Sequence, residues 1–176
     1  MTADPDKLRA ASGLVLPGVA AFGFAIKALG PLVELVKELA LTGKPTLGIC
    51  VGYQMLFERS CEFGRHEGLG LVRGEVVPIP AGRVIPHMGW NEVELPKDMA
   101  LFAGLPERKH FYFAHSFYGE VADADVKVAY TDYDMKLPAA IQKGNIFGTQ
   151  FHPEKSGEQG LQVLRNFTAL VEKGIR

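Results

Sequence analysis

From residue 13 onward the chain alternates apolar runs with amphipathic stretches. GLVLPG (13–18) reads as a short buried strand stopped at Pro17-Gly18. FGFAIKAL (22–29) and PLVELVKELALTGK (31–44) then repeat apolar positions at helical spacing, with Pro31 suited to a first helical turn. PTLGIC (45–50) is a second apolar strand, and VGYQMLFERS (51–60) returns to helical spacing through Val51, Met55 and Leu56. Strand, helix, strand, helix predicts a parallel sheet with covered faces. The second half differs: GEVVPI, WNEVEL, HFYFAHSF, VKVAYT, AAIQKG and IFGTQF are short β-rich pieces between turn residues, which predicts a mixed or antiparallel extension. GEQGLQVLRNFTALVEKG closes the chain with a helical stripe of Leu161, Leu164, Phe167, Leu170 and Val171. Residues 1–12 are polar and predict a short helix or poor order; no linker or repeat divides residues 1–176, which read as a single domain.

Composition agrees with one soluble domain: 176 residues, 47% hydrophobic and 22% charged, enough for a substantial core. A net charge of −1, with no block of like charges, argues against nucleic acid or a membrane surface as partner and for a small neutral or zwitterionic substrate. The most apolar segment, roughly 14–26, is broken by Pro17, Gly18 and Gly23 and is too short to cross a bilayer. Two cysteines without a secretory leader point to a reducing compartment, by default the cytoplasm, and away from a disulfide framework.

The candidate chemistry lies at Gly48-Ile49-Cys50-Val51-Gly52. Glycines two residues either side of a cysteine, between strand and helix, have the spacing of a nucleophile elbow. The helix start would favour the thiolate, and the Val51 N–H would face an oxyanion on an attacked carbonyl. A buried structural cysteine fits the same five residues. A cysteine nucleophile needs a base, and His152 in TQFHPEKSG has the most informative surroundings. Pro153 biases it toward extended backbone, so Glu154, two residues on, can reach and orient the imidazole. By itself that segment also fits a surface turn, and it is the elbow and the His-Pro-Glu together that favour a Cys–His–Glu arrangement. Cys61 and His66 read as structural, too few for a metal site. His87 and His110 read as packed or exposed structural groups, while the surroundings of His115 assign it no role.

PGV-AFG, GICVGYQMLFE, EGLGL, PHMGWN, FYFAHSF and GTQFHPEKSG, in this order, resemble the class I (triad-type) glutamine amidotransferases, most of all the glutaminase subunits of imidazole glycerol phosphate synthases in histidine biosynthesis. The resemblance runs from about residue 13 to the end. It implies a flavodoxin-like α/β fold with a mixed, mainly parallel sheet and helices on both faces. It implies hydrolysis of glutamine to glutamate and ammonia without a cofactor or metal, with Cys50 as nucleophile, His152 as acid and base, and Glu154 as its orienter. The Val19 and Val51 N–H groups would serve the oxyanion. Gly18, Gln54 and the backbone of His115, Ser116 and Phe117 would hold glutamine, while Trp90, Tyr112 and Lys155 would face a (β/α)8-barrel synthase subunit that receives the ammonia. The readings set against it are the glutaminase of another amidotransferase and a truncated, inactive homologue acting only as a binding partner. Two departures stand out. Ala20 replaces the second glycine of the family's Pro-Gly-x-Gly, where a positive φ would be costly for alanine. The family's N-terminal strand-turn-helix is missing, which predicts an uncovered hydrophobic sheet edge.

Overall fold

The computed structural model describes residues 2–174. Helix α1 (Pro5–Ala10) precedes β1 (Leu14–Leu16), α2 (Phe22–Leu29), a 3-10 turn at Gly30–Leu32, α3 (Val33–Leu41), β2 (Thr46–Ile49) and α4 (Val51–Gln54). There follow β3 (Phe57–Ser60), β4 (His66–Glu67), β5 (Val72–Pro78), β6 (His87–Glu94), β7 (Arg108–His115), β8 (Phe117–Val121), β9 (Lys127–Asp132), β10 (Lys136–Lys143), β11 (Ile146–Thr149) and α5 (Gly157–Lys173).

The strands form a seven-stranded sheet in the order β1-β2-β11-β10-β9-β6-β7 and a four-stranded sheet in the order β4-β3-β5-β8. The expected mixed α/β architecture is present, with less parallel pairing than expected. In the larger sheet only β1 with β2 and β2 with β11 run parallel, and the remaining neighbours are antiparallel. The reason is connection length: the two or three residues joining β9 to β10 and β10 to β11 can form hairpins but not crossovers. At the parallel end every residue of β2 and β11 is buried, so both faces are covered. Phe167 of α5 meets Phe147 edge-on at 5.9 Å on one face, and the Tyr53 ring of α4 packs over Gly148 on the other.

Three local expectations change. VGYQMLFERS is not one helix, since α4 ends at Gln54 and residues 57–60 become a strand held by β4 and β5. In α5 the buried positions are Gly160, Val163 and Phe167, with Leu164, Leu170 and Val171 beside them, while Leu161 faces solvent. Ala20 does not take a positive φ; among the described non-glycine residues only Cys50, Phe63 and Asp134 do, so its methyl meets no backbone strain.

Helix α1, at Pro5–Ala10, is held at both ends. Asp4 caps α1 by accepting from the Asp6 and Lys7 N–H groups, and Lys44 Nζ donates to the carbonyls of Leu8, Arg9 and Ala11 at the other end. Strand β1 stands at the sheet margin with Val15 half-exposed. Beside it, α1, β1 and α2 line an apolar hollow of about 590 Å³. Among the described residues no helix is long and apolar enough to cross a membrane.

Candidate active site

The turn after β2 creates the site. Cys50 has φ 53° and ψ −109°, a region that costs a side-chain-bearing residue of order 1–3 kcal/mol unless its surroundings impose it. The surroundings do. The Cys50 N–H donates to the Thr149 carbonyl at 2.8 Å, and its carbonyl accepts from the Gln54 N–H at 3.1 Å. A Cβ on Gly52 would overlap the Leu16 carbonyl of β1, and one on Gly48 would meet the backbone of Gly52 and Tyr53. Only glycine lets the three segments come this close.

Cys50 is buried, and burial pushes its thiol up to about 11. The Val51 N–H pulls the other way and loses, while the Glu154 and Glu62 carboxylates push it further up against Lys155. The expected help from the helix start is therefore outweighed, for α4 is only four residues long and the sulfur is almost cut off from water. At neutral pH the resting group is a thiol.

His152 lies three residues beyond β11, its backbone N–H donating to the Tyr112 carbonyl at 2.9 Å. Its Nδ1 donates to Glu154 Oε1 at 2.7 Å, leaving Nε2 as the free ring nitrogen. Ser156 locks the turn, its hydroxyl donating to the His152 carbonyl at 2.6 Å and accepting from the Tyr112 N–H at 2.9 Å.

Cys50 and His152 line one cleft of about 480 Å³ together with Val19, Val51, Gln54, His115, Ser116, Phe117 and Lys155. Val19 is exposed on the loop ahead of α2. Gly18 does not line the cleft; it lies behind Val51, where a Cβ would touch the valine side chain. The Ser116 carbonyl accepts from the Ile79 N–H at 2.9 Å, and the Phe117 carbonyl accepts from Gln54 Nε2 at 3.0 Å. Trp90 and Tyr112 are cross-strand neighbours with ring centroids 6.3 Å apart, and Lys155 Nζ lies 6.0 Å from the centre of the Tyr112 ring. Trp90 and Lys155 are exposed and Tyr112 is half-buried, and Lys155 also lines the cleft. Among the described residues no group of three His, Cys, Asp or Glu side chains is placed to hold a metal ion.

Four residues of this region escaped the sequence reading. Buried Gln150 accepts from Gln54 at 3.0 Å and reaches toward Cys50 Sγ at 3.9 Å; a glutamine between Thr149 and Phe151 in a strand-like run was the available signal. Glu62 is the one acid lining the cleft, and it also accepts from the Phe22 N–H at 2.6 Å, capping α2. Met88, 63% exposed, extends the Trp90 patch. The buried His87 ring makes hydrogen bonds that no local pattern announced.

The chain matches glutamine amidotransferase class-I over residues 2–171. It is 48% identical over 173 residues to the imidazole glycerol phosphate synthase subunit HisH of Moorella thermoacetica, covering 97% of this chain and 82% of that one. It is 50% identical over 171 residues to the protein of the same name from Methanothermobacter thermautotrophicus, covering 97% and 85%. Among solved structures, a glutamine amidotransferase superposes with a TM-score of 0.74 at 21% identity over 97% of this chain and 85% of its own. Another from Thermotoga maritima gives 0.63 at 21% over 94% and 66%.

Proposed function

The chain belongs to the class I glutamine amidotransferase family, and on that premise we propose how its residues divide the work of the glutaminase subunit of an imidazole glycerol phosphate synthase. The observation that carries the reading is the strained, glycine-flanked Cys50 sharing a cleft with a histidine whose Nδ1 is held at 2.7 Å by Glu154.

Because the resting sulfur is a thiol, His152 Nε2 takes its proton as sulfur attacks the side-chain amide carbon of glutamine. The oxyanion is held by the Val51 N–H and, from the loop ahead of α2, the Val19 N–H. The C–N bond breaks as His152 returns the proton to the departing ammonia, leaving a γ-glutamyl thioester. His152 then removes a proton from water, the C–S bond breaks, glutamate leaves and the proton goes back to Cys50. Glu154 keeps Nε2 turned toward the cleft throughout. Gln54, with the strand junction at His115, Ser116 and Phe117, shapes the glutamine site, and Glu62 supplies the acid for the substrate α-ammonium.

Ammonia passes to a (β/α)8-barrel synthase subunit docked on Trp90, Tyr112 and Lys155, with Met88 extending the contact, in a cytoplasmic heterodimer serving histidine biosynthesis. The exposure of this apolar and aromatic patch next to the cleft supports that assignment.

The test is glutamine hydrolysis by the chain with its synthase subunit. Cys50→Ala removes at least a thousandfold of the activity, while synthesis from free ammonia persists. A glutamine-mimicking electrophile labels Cys50 by mass spectrometry; labelling of Cys61 instead would sink the mechanism.

A further inference from the structure

Outside the triad, one chain of hydrogen bonds crosses the sheet, and its partners fix the direction of every hydrogen in it. His115 Nδ1 lies 2.8 Å from the Phe117 carbonyl oxygen, which can only accept, so Nδ1 carries the proton and Nε2 is an acceptor. His87 Nδ1, 2.9 Å from that Nε2, must therefore donate, which makes His87 Nε2 an acceptor in turn. Asn91 Nδ2 supplies the matching donor at 3.2 Å and gives its other hydrogen to the Asp132 carbonyl at 2.8 Å, while its Oδ1 accepts from the Glu92 N–H. Both rings must be neutral for this to hold, and burial favours that, pushing His87 down to about 4 and His115 to about 3.

The far end of the chain reaches the cleft. The Phe117 carbonyl accepts a second hydrogen bond from Gln54 Nε2, whose other hydrogen goes to Gln150 Oε1. With both amide hydrogens committed, Gln54 has one atom left for a ligand, its Oε1, an acceptor. Rotation of the Phe117 carbonyl would release Gln54 to turn its NH₂ outward and reverse the polarity of that wall.

We propose that the side chains of His87 and His115 are positioning residues for glutamine: through the Phe117 carbonyl they hold Gln54 with its acceptor toward the substrate. His115 fixes the carbonyl, His87 fixes the tautomer of His115, and Asn91 fixes that of His87. His87 also stacks between Phe113 and Tyr133 at 4.6 and 4.1 Å, and packing alone would be satisfied by phenylalanine. The direction of the hydrogens would not be.

The proposal rests on the cleft binding glutamine, so binding and turnover are measured separately, both with the synthase subunit present. Calorimetry gives the glutamine Kd in a Cys50→Ser background, and kinetics give KM and kcat with Cys50 intact. His115→Phe raises Kd and KM about tenfold and leaves kcat within about threefold. His115→Asn, which keeps an amide donor where Nδ1 was, returns both to within about twofold of the parent. His87→Phe, which keeps the aromatic stack, gives an intermediate loss and guards against a His115→Phe that does not fold. Equal losses in His115→Asn and His115→Phe overturn the proposal, as does a lowered melting temperature with Kd unchanged. A parent that binds glutamine without hydrolysing it fails the glutaminase reading alone, and the Kd series still decides this one. A Cys50→Ser chain that does not bind glutamine overturns both.

Discussion

Cys50 is held in a backbone conformation that favours its exposure to a substrate, and in a burial that disfavours its charge. Burial holds the thiol at about 11 against an ordinary 9.0, so the folded protein binds that proton more tightly than the unfolded chain does. The neutral thiol therefore favours folding fully below pH 9, and this contribution fades as pH rises through about 11. Alkylation of Cys50 by iodoacetamide in a Cys61→Ser background should follow a midpoint near 11 rather than 9, and Cys50→Ser should flatten the alkaline fall in stability. A midpoint near 7 would mean that a preformed thiolate replaces the proton transfer assigned to His152. The elbow and the His-Pro-Glu segment were legible in sequence because each is a local pattern with a local cause. Gln150 and the hydrogen-bonding role of His87 were not, because Gln54 and Cys50 lie 96 and 100 residues from Gln150 in the chain and His115 lies 28 from His87, so that even the nearby Asn91 gave no local signal.

Elements show the same division. The helices and strands around PTLGIC follow their own periodicity, but the FERS stretch joins a sheet because β4 and β5 arrive on either side of it, which a helical window cannot register. In α5 the stripe predicted from large apolar residues is rotated, because Gly160 and Val163 provide the close approach while Leu161 points outward. Helix α1 has no fully buried residue and only Leu8 packed against the core, so much of its order rests on its caps, above all on Lys44. Lys44→Met should speed hydrogen exchange and proteolysis within residues 3–12 and cost about 1 kcal/mol of overall stability. A global loss several times larger would show that α1 is instead part of the cooperative core.

For the whole molecule, the joint between the two sheets is electrostatic as well as apolar. Asp123, on the loop between β8 and β9, accepts from Arg73 of β5 in the small sheet and from Lys143 of β10 in the large one, the latter at 2.6 Å. The Lys143 ammonium foremost, with Arg73, holds the Asp123 carboxyl down at about 2 against an ordinary 3.8. Its contribution is thus complete above about pH 4 and is lost as pH falls through about 2. Asp123→Asn should lower the melting temperature at pH 7 by about 5 °C and reduce the acid-dependent part of the stability curve. An unchanged acid limb would assign that limb to other carboxylates.

A four-residue helix in isolation would open and close within a microsecond. In α4, however, all four residues are buried, and the segment is held by β11 and β2 on one side and by β3 on the other. No partial opening can release it without disturbing both sheets. On heating, turnover should therefore persist up to the cooperative transition and vanish with it, so that inactivation and loss of tertiary structure follow one curve.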